Sequence, residues 1–257
     1  MRTLALDSRN VFGSDGSGNQ VKSWLNKRQL LKINSKFRES TKEVDAYILG
    51  TAFGLNCAKY TALDVIYKGV TRKACLTESF LCGDEIEITA SEMLDFSGRS
   101  IPMTMSSKDY FYILVDVINK YTGLPEEEIA LWIMRMLVFD YIICNDDRHL
   151  TNFEVLYSPS KNTFRFAPYY DQGGSFLRTD ANLSLREYEL AYRKFKSKPF
   201  STNPDKNLCD LAFARSVFIS MMQKAGGVDN IKSLGLGSGH LSIVLRQIAR
   251  LRKLLNV

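Results

Sequence analysis

The sequence predicts an α+β fold with two parts: a small lobe rich in antiparallel strands over residues 1–82 and a larger, mostly helical lobe over residues 83–257. Short strand-like runs between polar and glycine residues characterise the first part, whereas longer runs with helical periodicity characterise the second. A strand–turn–strand pattern interrupts the helical part at residues 153–166. With 257 residues, 45% of them hydrophobic, the chain can bury a large core as one bilobal domain or two small ones.

The first part is predicted to consist of strands and one helix. Two short strands flank a glycine-rich segment at residues 16–22, and residues 29–33 form an apolar strand with one embedded lysine. A helix over residues 42–53 ends at Gly54, because glycine commonly terminates helices. A further strand is predicted over residues 72–80.

The second part is predicted to contain a buried helix followed by a hairpin. The run at residues 129–143 is apolar, but Arg135 and Asp140 interrupt it and argue against a membrane span, so we expect a core helix. Strands are predicted over residues 153–157 and 163–166, with a turn between them. Further helices are predicted over residues 108–121, 205–224 and 240–255, of which the last is amphipathic.

Three polar residues around the hairpin form the most informative pattern in the chain. Asn152 follows Asp147 by five positions, and Asp171 comes after the hairpin. Phosphoryl transfer uses such a set, with one carboxylate beside the attacking hydroxyl and further oxygens that bind Mg²⁺. We therefore expect Asp147, and not its neighbour Asp146, to deprotonate a hydroxyl, and Asn152 and Asp171 to bind Mg²⁺, in transfer of the γ-phosphoryl group of ATP. The alternative is an ordinary polar turn.

The segment Asp147-Arg148-His149-Leu150-Thr151-Asn152, with Tyr170-Asp171, resembles the active site of the HipA-like family of bacterial serine/threonine kinases. The Asp-Arg-His-x-x-Asn pattern is also similar to the catalytic loop of phosphatidylinositol 3- and 4-kinases. Both families share the protein-kinase-like fold, so the resemblance implies a bilobal kinase. By the same analogy, His149 is expected to brace the catalytic loop by hydrogen bonding, and Arg148 to form either a structural ion pair or a phosphate contact.

A cation embedded in an apolar strand is costly unless it has a partner, and Lys32 is such a cation. In the fold that the resemblance implies, this lysine holds the phosphates of ATP and pairs with a glutamate on the next helix. Glu43 is the expected partner, eleven residues before Gly54 as in HipA-like chains, with Glu39 as the competitor. The alternative is an edge-strand lysine that points to solvent.

The resemblance implies further contacts with ATP. The family's phosphate-binding loop carries a Gly-x-Gln-x-Lys stretch, and small residues there let backbone N–H groups approach phosphate oxygens. Strand order places residues 78–80 near the hinge that binds adenine. The expected ATP-binding residues are Gly16, Ser17, Gly18, Gln20, Lys22, Lys32, Glu43, Glu78 and Phe80. A hairpin turn and a plain core strand remain the alternatives for the loop and the hinge strand.

Charge is distributed unevenly along the chain. Residues 1–83 contain 13 Lys and Arg against 7 Asp and Glu, so the whole formal net charge of +6 comes from this part. A basic surface on the predicted nucleotide-binding lobe would attract ATP or an acidic partner. More commonly, such an excess of basic residues only forms a solvated surface. A second basic cluster, which we hypothesise to contact an acidic or nucleic-acid-bound substrate, consists of Arg186, Arg193, Lys194, Lys196 and Lys198.

Cysteine usage indicates a reducing compartment. The five cysteines are scattered without a C-x-x-C pair, and with two histidines in the chain a zinc site is not expected. The sequence does not begin with a charged segment followed by an apolar run, so no signal peptide is predicted. We therefore expect a cytoplasmic protein.

The leading hypothesis is an ATP- and Mg²⁺-dependent protein kinase that phosphorylates Ser or Thr. The family resemblance implies an acceptor such as a translation component, and a toxin role with a small antitoxin partner; direct binding of nucleic acid is not expected. Two alternatives remain: a phosphoinositide kinase, and a kinase-shaped regulatory module without catalytic activity.

Overall fold

The computed structural model describes residues 3–5, 21–34, 38–102 and 104–257, so the predicted ATP-binding residues Gly16, Ser17, Gly18 and Gln20 lie outside the described residues. The elements of the first part are β1 (Thr3–Ala5), β2 (Val21–Asn26), β3 (Gln29–Ile33), α1 (Glu39–Ala52), β4 (Tyr60–Tyr67) and β5 (Val70–Glu78). The strands form one sheet in the order β1-β4-β5-β3-β2, which is antiparallel except for the β1–β4 pair.

The register of the sheet places Lys32 on a central strand. Lys32 lies opposite Lys22 of β2 on one side and Cys75 of β5 on the other. Successive side chains of a strand point to opposite faces, so the neighbours Leu31 and Ile33 pack on the far face of the sheet, in a buried apolar cluster. Lys32 itself is 4% exposed, which excludes the alternative of an edge-strand lysine in solvent.

The larger lobe combines helices with a small antiparallel sheet in the order β6-β7-β8. Its strands are β6 (Ile86–Thr89), β7 (Glu154–Ser158) and β8 (Thr163–Phe166). Its helices are α2 (Ala90–Phe96), α3 (Ser107–Thr122), α4 (Glu126–Ile143), α5 (Leu185–Lys194), α6 (Pro204–Asn207), α7 (Leu211–Lys224), α8 (Gly227–Lys232) and α9 (Ser238–Leu255).

Helix α4 is the centre of the larger lobe. All its residues from Met136 to Ile143 are buried, as expected for a helix that is apolar on every side and surrounded by other elements. Helix α1 shares this core, because Phe53 at its end packs edge-on against Phe139 with 6.3 Å between ring centroids. The larger lobe is therefore packed directly against the helix that follows β3. Among the described helices, none combines the length and apolarity that a membrane span requires.

Most predicted elements are confirmed. Strand β3 has the predicted bounds, the hairpin is formed by β7 and β8, and α3, α4 and α9 lie within three residues of their predicted bounds. The prediction of one helix over residues 205–224 is wrong. The chain breaks between α6 and α7, where Cys209 has a φ of 60° and the Asp210 carboxylate accepts a hydrogen bond from the Phe213 amide, which caps α7. Helix α1 also begins earlier than predicted, at Glu39.

Candidate active site

A buried ion cluster joins the two lobes. The Lys32 ammonium lies 2.6 Å from Oε1 of Glu43 on α1 and 2.7 Å from Oδ1 of Asp171. Burial alone would lower the pKa of Lys32, but the Asp171 and Glu43 carboxylates hold it well above the ordinary value. The Lys32 ammonium in turn holds the pKa of Asp171 well below its usual range. Glu43, the partner that the sequence favours, is thus brought together with the predicted metal-binding aspartate.

Two residues that the sequence did not single out complete this cluster. The Tyr60 hydroxyl accepts a hydrogen bond from the Asp171 amide at 3.3 Å and lies 3.4 Å from the Lys32 ammonium. The Gln172 amide donates to Oε2 of Glu43 at 2.8 Å. These contacts hold Asp171 at a φ of 59°, a left-handed conformation that aspartate tolerates better than most residues and that is concentrated at functional sites.

Lys22 lies beside the same cluster. It is the cross-strand neighbour of Lys32, so the two side chains share one face of the sheet, and its charge further lowers the pKa of Asp171. Like charges directly opposite each other on a sheet repel, so a polyanion between them would be favoured. That Lys22 contacts the phosphates of a nucleotide stays a prediction, with which this position next to Lys32 is compatible.

The catalytic loop is built around a buried arginine. Arg148 is 0% exposed, and its Nε and Nη2 lie 2.8 and 3.1 Å from the two carboxylate oxygens of Asp140 on α4. Its Nη1 donates to the backbone carbonyls of Asn152, at 2.8 Å, and Tyr170, at 3.0 Å. One side chain thus ties the helix to the loop and to the residue before Asp171. Of the two roles open to Arg148 from the sequence, the structural ion pair is the one observed.

Asp147 and Asn152 are fixed to each other within the loop. The Asp147 amide donates to the side-chain oxygen of Asn145 at 3.1 Å, and the Asn152 amide group donates to the Asp147 carbonyl at 2.7 Å. The side-chain oxygen of Asn152 lies 3.5 Å from the Thr151 hydroxyl. The Asp147 carboxylate is 45% exposed and lies 2.9 Å from Nε2 of His149, in agreement with a bracing role for this histidine.

Asp146, the adjacent carboxylate, is engaged elsewhere. Its two oxygens each lie 2.8 Å from a nitrogen of Arg178, a bidentate pair. Gly174 approaches the same loop so closely that a Cβ there would lie 2.9 Å from both Asp146 and Asp147, which requires glycine. Only Asp147 therefore combines solvent access with the five-residue spacing to Asn152.

The stretch of residues 172–200, here called the post-Asp171 segment, is anchored to both α1 and α9. The His240 ring lies 2.6 Å from Asp45 of α1 and 2.9 Å from Asp180, and it stacks on Phe176 with 4.2 Å between ring centroids. Gly239 allows this approach, since a Cβ there would lie 2.3 Å from the Asp180 carbonyl. The helix that carries Glu43 is thereby connected to the segment that follows Asp171.

The two predicted adenine-binding residues lie in different surroundings. Glu78 is exposed at the end of β5 and lines a cavity of about 830 Å³ together with the turn between β2 and β3. Phe80 packs on Tyr170, the residue before Asp171, with 5.6 Å between ring centroids. Phe80 is thus in contact with the residue before Asp171, whereas Glu78 lines the cavity next to the turn between β2 and β3.

Glu154 is a buried acid next to this aromatic pair. It is 7% exposed, and Oε1 accepts a hydrogen bond of 2.5 Å from the Tyr170 hydroxyl. Within the described residues, its Oε2 is buried without a hydrogen-bond partner. Burial raises the pKa of Glu154 to about 7, helped by the charges of Glu87 and Glu92 and opposed by the Tyr170 hydrogen bond.

The donor set fits Mg²⁺ bound together with a nucleotide. Among the described residues, no three His, Cys, Asp or Glu side chains form a metal site by themselves. Mg²⁺ commonly uses one or two protein oxygens plus phosphate oxygens, and Asp171 and Asn152 supply a carboxylate and an amide oxygen of this kind. One nitrogen of Arg148 contacts the backbone carbonyl of Asn152 and that of Tyr170, the residue before Asp171.

Removal of the buried arginine should destabilise the protein. Arg148→Met leaves the Asp140 carboxylate without its ion pair, so we expect a loss of about 3–5 kcal/mol in the free energy of unfolding, measured by urea denaturation. The double variant with Asp140→Leu should lose less than the sum of the two single variants. Arg252→Met, at an exposed position, is the control. An Arg148→Met protein as stable as the control would show that the pair does not hold the loop.

Glu154 should make stability fall as pH rises. Between the ordinary pKa near 4.5 and the raised value of about 7, the folded protein holds a proton that the unfolded chain releases. Ionisation of Glu154 should therefore lower the free energy of unfolding by about 2–3 kcal/mol by pH 8. Glu154→Gln should remove this pH dependence. Urea denaturation from pH 4 to 8 measures it, with the exposed Glu127→Gln as control. The expectation would be contradicted if the free energies of unfolding of Glu154→Gln and wild type differed by the same amount at every pH.

Comparisons with solved structures identify the fold. A kinase from Helicobacter pylori, described as the proinflammatory kinase CtkA, superposes with a TM-score of 0.66 at 12% identity, covering 93% of this chain and 92% of that one. HipA of Shewanella oneidensis MR-1, solved with HipB and operator DNA as a toxin–antitoxin system, gives a TM-score of 0.54 at 13% identity, covering 98% of this chain and 67% of that one. At such identities these structures show the shared fold.

The sequence comparison defines the family. No curated protein matches the chain significantly. The family of HipA-like C-terminal domains, however, matches residues 4–225, which include both lobes' predicted site residues. The kinase-like α+β fold and the family expected from the catalytic loop are thus confirmed. The chain belongs to the family of HipA-like C-terminal domains.

Proposed function

We propose that the protein is an ATP- and Mg²⁺-dependent kinase that transfers the γ-phosphoryl group to a Ser or Thr hydroxyl of a protein. The observation that carries the proposal is the Lys32 ammonium held between Glu43 and Asp171, 2.6 and 2.7 Å away. Arg148 connects this arrangement to a loop in which Asp147 exposes its carboxylate and accepts, through its backbone carbonyl, a hydrogen bond from the Asn152 side chain. Phosphoryl transfer depends on positioning and charge neutralisation, and these residues provide both.

Each residue has a defined task in the proposed reaction. Asp147 accepts the proton of the attacking hydroxyl while the new bond from its oxygen to the γ-phosphorus forms and the bond from that phosphorus to the bridging oxygen of ADP breaks. Lys32, oriented by Glu43, holds the phosphates. Asp171 and Asn152 would bind Mg²⁺, which supplies neutralisation of phosphate charge.

The choice of a protein acceptor is supported by membership in the family of HipA-like C-terminal domains. A toxin role, with a small antitoxin partner and a translation component as the acceptor, is supported by the likeness to a HipA solved with HipB. The cytoplasmic location remains a prediction from the sequence. A phosphoinositide acceptor is the competing outcome of the experiment that follows.

The experiment incubates the purified chain with γ-labelled ATP and Mg²⁺, alone, with cytosolic proteins, or with phosphoinositide vesicles. We expect label on protein Ser or Thr. Label on lipid alone would identify a lipid kinase, and the absence of both label and ATP binding would indicate a module without catalytic activity.

Two substitutions test the assigned roles. Asp147→Asn should lower transfer by a factor of about 10² or more while MgATP still binds, because it removes the proton acceptor and leaves Lys32, Asp171 and Asn152 in place. Asp171→Asn should lower transfer and also weaken MgATP binding, because it removes a metal ligand and a partner of Lys32. Asp229→Asn, whose side chain is 94% exposed and pairs with Lys232, is the matched control. Near-wild-type transfer by either active-site variant would mean that the site is assigned wrongly.

A further inference from the structure

One member of the basic cluster after Asp171 differs from the others. Arg186, Arg193, Lys194 and Lys196 are exposed on or next to α5. The side chain of Lys198 instead contacts the catalytic loop. Its ammonium lies 2.8 Å from Nε2 of His149 and 3.4 Å from Oδ1 of Asp147. A cation from the post-Asp171 segment thus reaches the proposed proton acceptor.

The backbone around Lys198 is held firmly. The buried side chain of Asn207, 4% exposed, donates to the Lys198 carbonyl at 2.7 Å and accepts hydrogen bonds from the amides of Phe200, at 2.9 Å, and Ser201, at 3.1 Å. The Phe200 ring is itself buried, 5.0 Å from the ring of Tyr110. Lys198 therefore projects from a fixed turn, as a preorganised charge requires.

The cations around the loop differ in how fully they are neutralised. Lys32 is bound by two carboxylates, Arg148 by Asp140, and Arg178 by both oxygens of Asp146. Charge-assisted hydrogen bonds usually measure 2.7–2.9 Å, so the 3.4 Å contact of Lys198 with Asp147 is a weak one. Its close contact is with an imidazole nitrogen instead of a carboxylate. Lys198 is therefore positioned to bind an incoming anion.

Asp147, His149 and Lys198 can form two alternative hydrogen-bond patterns, which differ in the role of the His149 ring. Its Nε2 lies 2.9 Å from Asp147 and 2.8 Å from Lys198, but one ring nitrogen cannot donate to a carboxylate and accept from an ammonium at once. When His149 donates to Asp147, the ammonium of Lys198 is released from it. In this pattern, the Lys198 ammonium is available next to Asp147, the proposed acceptor of the hydroxyl proton.

We propose that Lys198 is a further catalytic residue, which donates hydrogen bonds to the γ-phosphoryl oxygens as charge spreads over them in the transition state. The inference rests on the proposed kinase function and adds to it a cation outside the expected site. Asp147 must lie within hydrogen-bond reach of the hydroxyl that attacks phosphorus, so a cation 3.4 Å from Asp147 lies beside the transferred group. Preorganised donors at such a position commonly contribute factors of about 10²–10³ in rate.

The test compares the binding of MgADP with that of MgADP plus aluminium fluoride, a planar anion that mimics the transferred group, by calorimetry on the full chain. Lys198→Met should bind MgADP within about 3-fold of wild type and lose about 10-fold or more in the aluminium fluoride complex. Lys198→Arg should recover part of that loss, because it keeps the charge. Lys196→Met, an exposed lysine two residues away, is the matched control and should behave as wild type.

The possible failures are distinguishable. If wild type binds both ligands and Lys198→Met binds both equally well, the inference is wrong and the proposed function stands. If Lys198→Met loses as much affinity for MgADP as for the aluminium fluoride complex, the residue is structural and the inference is also wrong. The same holds if it unfolds at a lower temperature than Lys196→Met. A wild-type chain that binds no nucleotide would contradict the kinase proposal and this inference together.

Discussion

The geometry of the site depends on the ion pair between Arg148 and Asp140. Two charges taken out of water stabilise a fold only if their geometry is good and their remaining hydrogen-bonding groups are satisfied. Arg148 meets this condition, because it contacts both oxygens of Asp140 and the carbonyls of Asn152 and Tyr170. The end of α4, the catalytic loop and the residue before Asp171 are therefore held as one unit.

The Lys32 cluster extends this unit into the smaller lobe. Asp171 is positioned from one side by Arg148 through Tyr170, and from the other by Lys32. Glu43 is fully buried, and burial raises its pKa, while the Lys32 ammonium and the Gln172 amide, which both contact its carboxylate, oppose that rise. The position of α1 is supported on its other flank by the contact of Asp45 with His240. The proposed phosphate-binding lysine, the proposed metal-binding aspartate and the predicted catalytic loop are thus connected by direct contacts.

The sequence predicted those parts of the site that are local or carry a spaced motif. The spacing of Asp147, Asn152 and Asp171, and the partner of Lys32, could be inferred because short stretches and a family resemblance define them. Contacts between residues that lie far apart in the sequence could not be inferred. Lys198 lies 51 residues from Asp147 in the chain, and nothing in a run of surface lysines marks the one that turns inward. The break between α6 and α7 was missed because apolar periodicity runs through it, whereas Asp210 acts as a helix cap.

The concentration of buried charge argues for catalysis over a purely structural role. Replacing buried ion pairs with apolar residues of similar size is often neutral or stabilising, so stability alone does not account for two adjacent buried clusters. Those around Lys32 and Arg148 both include or adjoin Asp171, and Arg148 directly follows the half-exposed Asp147 in the chain. A module that only binds a partner could present the same outer surface with an apolar interior. The proposed site needs fixed charges of this kind, because it has to neutralise phosphates and hold a proton acceptor.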